Sequence, residues 1–529
     1  SPHDLYHFGD PRRLMAGATR PPLLKISNKK IVLRHVTAVA LSCFFKAYPE
    51  RFNDVMSFLG GDLARPKAVA DLKAFLEENR EEIERSLLAI VPGEMHQELG
   101  LTDGRWISYI CRQDPEGRET QFFKAEIELA SDWRRLLELE ETSIKKKDYR
   151  TADWAKRRRQ TIAREDVLSF LSRKAVIPKY GFPVDVVELD TQRTGHEADE
   201  IELERDLKIA IAEFAPTSQL IANKKLWTSG GLKRVVDREW EARYYRKCPV
   251  HGRFDVWNPG EEPPGTTCCS NMTARRQYII PAFGFVTSRD KPEDPKGRPA
   301  RMFSTRPFFI GLFGSERGFT SMPQQSPLLR VSKTCPGKMG VICEGRRGSG
   351  FFVCPECGAG FRERPKKSHR APTGQSCSGK PLIVSLGHEF ITDVVKIEFL
   401  RPVPGSIEPT WFAYSLAYAL AGGAAGVLEV PPEDLSTTVA YADTPYVPPI
   451  VIYDNVPGGA GLVARLEEVE IMRACLEAAY GRVQGGCGCG ENDSCYGCLR
   501  NYTNQFAHQK LRRGPVKDFL DQLLAEWPR

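Results

Sequence analysis

The stretch CGCGENDSCYGCLRNY, residues 487–502, places four cysteines within twelve residues and decides how the C-terminal part of the chain is built. The spacing is C-x-C-x5-C-x2-C, and thiolates on such short turns can surround one tetrahedral Zn²⁺. Four protein ligands leave no open position, so we predict a structural metal centre. Buried free thiols and an iron–sulfur cluster are the alternatives. The predicted ligands are Cys487, Cys489, Cys495 and Cys498.

A second motif, FFVCPECGAGF, contains a C-x2-C-G turn and is followed by a histidine and a further cysteine. This arrangement is typical of a zinc ribbon. The fourth ligand is open, because Cys335 and Cys343 lie upstream and could replace His369. A packed β-hairpin with free thiols is the alternative. The predicted ligands are Cys354, Cys357, His369 and Cys377.

The third motif, RKCPVHG, places Cys248 and His251 in a C-x2-H-G turn, with Cys268 and Cys269 further on. Adjacent cysteines rarely bind the same metal, and a standard second turn would need a ligand at Asn271. We therefore predict zinc bound by Cys248, His251 and Cys268. The alternative is a degenerate ribbon that is held by packing alone.

Composition is that of a water-soluble protein with several packed units. The chain has 529 residues, 41% hydrophobic and 27% charged, and its fifteen cysteines come without a visible secretory signal. Reduced cysteines that bind zinc in the cytoplasm are therefore a better interpretation than disulfides. The most apolar stretch, WFAYSLAYALAGGAAGVLEV from Trp411, is interrupted by two glycines, which favours a buried helix and turn over a membrane span. The chain begins with Ser1 in mid-pattern, so we expect a piece of something larger.

Element patterns predict an α+β multidomain chain. We expect a mainly helical region at residues 1–175, a β-rich region at 176–300, a zinc-ribbon-like region at 301–385 and an α/β domain at 386–529. Apolar residues recur at helical spacing in three stretches, which begin at Arg65, Gln121 and Thr151. Thr151 is predicted as the N-cap of the third helix. In the last region we expect a strand, a helix at about 411–420, a strand at 449–453 and a helix at about 461–480.

Basic residues concentrate in two places. Residues 145–174 carry eleven Lys and Arg against four acids, and the tail CLRNYTNQFAHQKLRR adds Tyr502 and Phe506 to its cations. Both stretches are candidates for contact with nucleic acid, the tail for a single strand. The alternatives are a solvated helix face and rings that face the core. The candidate cations are Lys156, Arg157, Arg158, Arg159, Arg500, Lys510, Arg512 and Arg513. FRERPKKSHR, from Phe361, is a further basic candidate.

A glycine-rich turn in VIYDNVPGGAGLVARLEE lies between a predicted strand and helix. Gly458 and Gly459 could present backbone N–H groups to a nucleic-acid phosphate, or simply form a tight turn. The chain has no G-x4-G-K-[ST] pattern, so we predict no ATPase in it. His388, Asp393 and Asp454 form a hydrolase or nuclease site only if they converge.

Four segments together resemble a known family: YGFPVDVV, LGHEFITDV, YDNVPGGAG and SCYGCLRNYTNQFAHQKLRR. They resemble the zinc-binding helicase-associated domain that accompanies superfamily-two DEAD/DEAH helicases, over residues 176–515. Similar regions occur in the DrmB family of the bacterial DISARM system and in large fused antiphage helicases of the Druantia DruE type. The segment from Arg20 resembles the part that follows the second motor domain in fused helicases, which favours a piece of a fused protein over a separate subunit.

The resemblance implies a DNA-binding and scaffolding role in bacterial antiphage defence. It implies partnership with an ATP-driven helicase motor, in cis or in trans, and with other defence subunits. The four C-terminal cysteines match the signature of the family, whereas His251 stands where a cysteine is usual. A hydrolase and a pure protein-interaction scaffold are the other hypotheses. No membrane partner is expected.

Overall fold

The computed structural model describes residues 8–9, 29–178, 186–191 and 201–528, with short gaps at residues 116, 118, 175, 202, 236–238, 262, 266–267, 291, 298, 300–302, 313–317, 366–367 and 406. The first residues of YGFPVDVV and residues 20–28 lie outside these ranges. Within them the predicted α+β class is confirmed: a helical N-terminal part, a sheet-rich middle and a C-terminal part with the four cysteines.

The N-terminal part is helical because its apolar residues recur at helical spacing and meet in one core. Val36, Phe44, Phe58 and Trp106 are fully or almost fully buried in it. The helices are α1 (Lys29–Ala47), α2 (Val55–Phe58), α3 (Ala68–Glu78), α4 (Arg80–Ile90), α5 (His96–Leu99), α6 (Trp106–Ile110), α7 (Gln121–Lys145), α8 (Tyr149–Ala163) and α9 (Val167–Arg173).

Two of the predicted helices are broken in the structure. The one expected from Arg65 is divided at Asn79 into α3 and α4. The one expected from Thr151 already begins at Tyr149, so the prediction of Thr151 as its N-cap is wrong. It ends at Ala163, because Asp166 caps a new helix by accepting a hydrogen bond from the backbone N–H of Ser169 at 2.8 Å.

A twelve-stranded sheet forms the centre of the molecule, and its longest strand is β17 (Leu382–Phe399). This strand pairs with β7, β11, β12, β13 and β19 along its length. Its burial is nearly continuous, as expected for a strand that is covered on both faces. The other strands are β5 (Glu241–Lys247), β6 (Phe254–Trp257), β7 (Arg276–Ile280), β9 (Arg306–Leu312), β10 (Phe319–Met322), β11 (Leu329–Ser332), β12 (Cys335–Cys343), β13 (Phe351–Val353), β14 (Gly360–Phe361), β18 (Leu435–Val439) and β19 (Ile450–Asp454).

A smaller five-stranded sheet has the order β2-β1-β8-β4-β3 and packs with helix α10 (Leu207–Glu213). Its strands are β1 (Val186–Asp190), β2 (Glu204–Asp206), β3 (Gln219–Ala222), β4 (Lys225–Leu232) and β8 (Phe285–Thr287). A two-stranded ribbon pairs β15 (His369–Arg370) with β16 (Ser376–Cys377). Strand β17 crosses the predicted boundary at residue 385, so the four-part division stays a prediction.

The C-terminal core is built on helices α11 (Pro409–Leu428), α12 (Val469–Val483) and α13 (Gly514–Ala525). Helix α11 is long and apolar enough to cross a membrane, but most of it is buried inside the protein. The turn expected at its glycine pair is absent, because Gly423 serves close packing. A Cβ there would lie 2.7 Å from the carbonyl oxygen of Cys475 in α12.

The helix expected from residue 461 starts later than predicted. A short 3₁₀ turn, Val463–Glu467, follows β19, and α12 begins only at Val469. The backbone N–H groups of residues 460, 462 and 463 hydrogen-bond a carboxylate, as described below.

Candidate metal centres and nucleic-acid contacts

Three groups of four Cys and His side chains come together in the described residues. Within each group the donor atoms all lie within 4.8 Å of one another. A tetrahedral Zn²⁺ with Zn–S bonds of about 2.3 Å and Zn–N bonds of about 2.0 Å sets S···S edges of roughly 3.8 Å and S···N edges of roughly 3.5 Å. Each group can therefore be tested against these values.

The four-cysteine cluster, Cys487, Cys489, Cys495 and Cys498, fits this test. The Sγ–Sγ distances are 3.4 Å for Cys487–Cys489, 3.8 Å for Cys489–Cys498 and 3.9 Å for Cys495–Cys498. Cys498 is buried in the C-terminal core and accepts a hydrogen bond from the backbone N–H of Cys495. The cluster therefore ties the loop after α12 to the main core of this part of the chain.

The ribbon cluster, Cys354, Cys357, His369 and Cys377, brings together two hairpins. Sγ of Cys354 lies 3.8 Å from that of Cys377, and Sγ of Cys357 lies 3.3 Å from Nε2 of His369. The group that comes together contains His369 and neither Cys335 nor Cys343, which are buried in β12. The structure therefore favours His369 over these two cysteines as the fourth candidate donor.

The knuckle cluster contains Cys248, His251, Cys268 and, unexpectedly, Cys269. Sγ of Cys248 lies 3.5 Å from Nδ1 of His251 and 3.5 Å from Sγ of Cys269. The backbone N–H of Asn271 hydrogen-bonds Sγ of Cys269 at 3.4 Å. Sequence reasoning missed Cys269 because it treated adjacent cysteines as mutually exclusive. The available signal was the C-x-N-M segment that begins at Cys269. It resembles a second metal-binding turn that is displaced by one residue from the expected start at Cys268.

The chemistry of the donors also fits a cation. Burial raises the pKa of the thiols of Cys268 and Cys357 to about 12 and that of Cys489 to about 11. Such thiols hold their protons at neutral pH unless a positive charge lies among them. A dication bound by such a group would supply that charge, and four protein donors would leave no position for substrate or water.

The predicted DNA-contacting arginines of α8 are largely occupied within the protein. Arg157 pairs with Asp153 and Glu239, Arg158 with Glu241, and Arg159 with Glu140. Arg159 also lies over the ring of Trp133, 5.2 Å from its centroid. Only Lys156 of this run is exposed. These pairs attach α8 to α7 and to the sheet, so the structure favours the packing interpretation for the three arginines.

The basic tail is divided in the same way. Arg513 is buried, and its guanidinium donates to the carbonyl oxygens of Cys489 and Val483. Arg500 pairs with Asp493 at 2.6 Å. Lys510 is exposed, and Arg512 is half-buried beside its own backbone. The prediction that Arg513 contacts DNA is wrong, because its side chain is enclosed by the loop of the four-cysteine cluster.

The two rings of this tail also differ. Phe506 packs against Tyr414, with 5.6 Å between ring centroids, and beneath the guanidinium of Arg306. Tyr502 is 40% exposed. Phe506 therefore belongs to the core side of the tail, and only Tyr502 presents a ring to solvent.

The glycine turn does bind an anion, but the anion belongs to the protein. The carboxylate of Asp454 accepts hydrogen bonds from the backbone N–H groups of Ala460, Leu462 and Val463 at 2.6–3.0 Å. The N–H groups of Gly458 and Gly459 are bonded to backbone carbonyls instead. A nucleic-acid phosphate at these two glycines is therefore contradicted, since the donors are already used.

Helix α1 fastens onto the same turn, which the sequence did not indicate. Arg34 donates to the carbonyl oxygens of Gly458 and Gly459, the latter at 2.8 Å. Lys30 forms an ion pair with the buried Asp393. This clamp, formed by Lys30 and Arg34 on the turn and on Asp393, connects the helical part to the C-terminal part.

The three groups of the hydrolase hypothesis do not converge. His388 and Asp393 lie five residues apart on β17, so their side chains point to opposite faces of the sheet about 16 Å apart along the strand. His388 stacks on Phe390, whereas Asp393 faces Asp454 and the clamp. No single cleft joins the three side chains.

The four-cysteine cluster places a zinc-binding domain in the C-terminal part of the chain. Residues 416–499 match the family model of the MrfA Zn-binding domain, and this range contains all four ligands of the four-cysteine cluster. The match and the geometry together identify Zn²⁺ as the cofactor. They also confirm the predicted zinc-binding domain in this part of the chain.

A curated relative covers nearly the whole chain. The Druantia protein DruE of Escherichia coli (strain UMEA 4076-1) is 24% identical over 586 aligned positions, which cover 97% of this chain and 30% of DruE. The chain therefore spans about 30% of the length of that relative.

Two solved structures of the DUF1998 helicase MrfA are also similar. One, bound to DNA, has 13% identity over 70% of this chain and 42% of MrfA, with a TM-score of 0.31. The other, bound to DNA and AMPPNP, has 11% identity over 69% of this chain and 42% of MrfA, with a TM-score of 0.19. Scores of this size do not establish a shared overall fold.

Proposed function

We propose that this chain is the zinc-stabilised DNA-binding and scaffolding part of an ATP-dependent superfamily-two DNA helicase that acts in bacterial antiphage defence. The observation that carries the proposal is the four-cysteine cluster, which lies within the match to the zinc-binding domain of MrfA, a helicase. The similarity to the Druantia protein over 97% of the chain supports the defence role.

The motor belongs to the same polypeptide in this proposal. The chain aligns with about 30% of DruE, which leaves ample length there for a motor, and the sequence printed here has no Walker A pattern. DNA, the motor and other defence subunits are the partners, and the cytoplasm is the location, where reduced thiols can hold zinc. A separate DISARM-type subunit with the motor in trans is the other arrangement.

The three zinc centres act as structural supports. Each has four protein donors, so none offers an open position for catalysis. The ribbon and knuckle clusters hold hairpins at the edges of the central sheet, and the four-cysteine cluster holds the loop between α12 and α13. Their ligands are proposed as Cys248, His251, Cys268 and Cys269, as Cys354, Cys357, His369 and Cys377, and as Cys487, Cys489, Cys495 and Cys498.

The experiment is a fluorescence-anisotropy titration of the protein with single-stranded and duplex DNA across a salt series, with zinc content measured on the same sample. We expect binding that weakens steeply as salt rises, because cations displace counterions from phosphates. Three zinc ions per chain would agree with the three clusters. No binding at low salt, with zinc present, would overturn the DNA-binding role.

A protein-interaction scaffold is the second candidate. The observation that favours it is the internal pairing of Arg157, Arg158, Arg159 and Arg513, which removes them from the expected DNA track. In that case the protein would retain its zinc and its stability but would not bind either form of DNA. The same titration therefore separates the two candidates.

A further inference from the structure

Residues 344–350, which we call the arginine loop, connect β12 to β13 with the sequence EGRRGSG. Arg346 and Arg347 at its tip are both exposed. Within the described part of the chain, neither side chain has an ion pair or hydrogen bond. This differs from the arginines of α8 and the C-terminal tail, whose charges are mostly satisfied inside the protein.

Backbone contacts at the base of the arginine loop fix its conformation. Gly345 has φ +70°, and a Cβ there would lie 2.7 Å from the carbonyl oxygen of Gly350. Arg276 donates from Nη1 to the carbonyl oxygen of Gly348 at 2.6 Å. The backbone N–H of Gly350 donates to the carbonyl oxygen of Glu344 at 2.8 Å. The two guanidinium groups therefore extend from a fixed base and not from a loose loop.

Arg347 also has an unusual backbone. Its φ and ψ are +53° and +25°, in the left-handed region, which costs a side-chain-bearing residue about 1 kcal/mol or more. A strained residue with an exposed, unpaired charge is a candidate for function and not for stability.

Exposed apolar surface lies at the base of the arginine loop. Ile383 of β17 is opposite Phe352 in the strand pairing and is 56% exposed. A Cβ on Gly350 would lie 2.8 Å from Cγ2 of Ile383, so this side chain contacts the base of the arginine loop. Leu382, the preceding residue, is 39% exposed. Cations next to an uncovered apolar side chain suit a ligand with phosphates and accessible base faces.

The wider segment is strongly basic. Residues 344–383 carry eight Lys and Arg against three Glu, a net of +5, where the whole chain carries +7. The ribbon cluster begins at Cys354, directly after β13, and so holds this segment against the sheet.

We propose that the arginine loop and Ile383 form a contact site for single-stranded DNA. Arg346 and Arg347 bind consecutive backbone phosphates, and Ile383 packs against an unpaired base. In a duplex the base faces are stacked and closed to Ile383, so the site prefers a single strand. This inference rests on the proposed DNA-binding function and assigns it a location that the predicted basic stretches did not include.

The test compares three variants of the protein by anisotropy with a single-stranded oligonucleotide across a salt series. In Arg346→Gln/Arg347→Gln we expect Kd to rise on the order of tenfold and the slope of log Kd against log salt to fall by about 1.4, from ~0.7 for each lost phosphate contact. Arg346→Lys/Arg347→Lys keeps both charges and should restore most of the slope. Ile383→Ser should weaken binding about threefold without changing the slope.

Lys73→Gln/Arg85→Gln is the matched control. It removes the same two charges from exposed positions on α3 and α4 in the helical part, so it should leave the slope within error. Zinc content and the melting temperature verify that every variant is folded. If the unmodified protein binds single strands and the loop variant keeps its Kd and slope, the arginine loop is not the site, although the proposed function survives. If the unmodified protein binds no DNA, both fail together.

Discussion

Arg513 donates from Nε and Nη2 to the carbonyl oxygen of Cys489, at 3.0 and 2.7 Å. Its Nη1 also donates to the carbonyl oxygen of Val483, at the end of α12, at 3.1 Å. One buried guanidinium thus joins the end of a helix to a predicted zinc ligand. Since the free carbonyls at a helix C-terminus favour a positive charge, the arginine is well placed to hold the loop of the four-cysteine cluster.

Arg513→Ala should therefore destabilise the protein and loosen its C-terminal zinc. The substitution leaves two buried carbonyl oxygens without their charged donor, which costs roughly 2–4 kcal/mol of unfolding free energy. We expect a lower denaturation midpoint and faster transfer of zinc to a chromogenic chelator.

Arg512→Ala is the matched control for that prediction. Among the described residues, the neighbouring side chain bonds to the carbonyl oxygens of Gln509 and Leu511 beside it, so its loss should change stability by less than about 1 kcal/mol. Equal effects of the two substitutions would mean that the guanidinium of Arg513 does not support the cluster.

Zinc stoichiometry gives the second prediction. The protein should contain three zinc ions, and Cys268→Ser/Cys269→Ser and Cys495→Ser should each remove one. Loss at the four-cysteine cluster should lower Tm by roughly 10 °C, because Cys498 is part of the C-terminal core. Loss at the knuckle cluster should also lower Tm, because its donor Cys248 is buried.

Elemental analysis of the purified variants, with thermal denaturation, measures both effects. Two zinc ions in the unmodified protein and the same two in Cys268→Ser/Cys269→Ser would show that the knuckle cluster is held by packing alone. That outcome would restore the degenerate-ribbon interpretation.

Sequence spacing was informative wherever ligands had to be close in the chain. It located the four-cysteine cluster and the ribbon ligands, since a metal turn needs its cysteines two or three residues apart. Runs of basic residues predicted DNA contacts less well, because a sequence does not show which acidic residues will form ion pairs with them. Glu239 and Glu241 lie far along the chain from Arg157 and Arg158, and only folding brings them into contact.

The glycine turn failed as a prediction for a related reason. The pattern indicated backbone donors that can bind an anion, but it could not reveal that Asp454, at the end of the preceding strand, would be that anion. Nor could it show that Arg34, more than four hundred residues upstream, would bind the turn from outside. Long-range pairing decides such sites, and a local pattern contains no information about it.

The titration of Asp454 gives the third prediction. Burial and the neighbouring Asp393 raise the pKa of its carboxyl to about 6, against the opposing effect of three backbone N–H donors. The folded protein therefore holds this proton between about pH 4 and pH 6, where the unfolded chain releases it. Below about pH 4, the raised pKa of Asp454 contributes roughly 3 kcal/mol to the unfolding free energy. This contribution is lost as the pH rises through 6.

The measurement is the unfolding free energy of the protein and of Asp454→Asn between pH 4.5 and pH 7.5. Asp454→Asn should be less stable at every pH in this range, because its amide nitrogen faces backbone N–H donors. Its unfolding free energy should not decline as the pH rises. The difference between the two proteins should therefore shrink towards pH 7. Parallel curves would mean that Asp454 does not titrate in this range. Asp393→Asn, which removes the neighbouring charge, should move the decline to lower pH.

The clamp between α1 and the glycine turn gives the last prediction. Arg34→Ala removes the donors to the carbonyl oxygens of Gly458 and Gly459, and Lys30 is then the remaining clamp residue. We expect α1 to separate more often from the C-terminal part, with a loss of about 1–3 kcal/mol. Hydrogen exchange should rise in residues 29–47 and in the glycine turn, because each element is protected by the other.

Lys46→Ala is the control, since Lys46 lies exposed at the end of the same helix. It should leave exchange in the glycine turn unchanged. If Arg34→Ala raises exchange only within α1, the helix frays by itself and the turn does not depend on it. If exchange rises in both elements, the clamp couples the helical part to Asp393, Asp454 and the strands that carry them, and movement of α1 would reach the central sheet through two side chains.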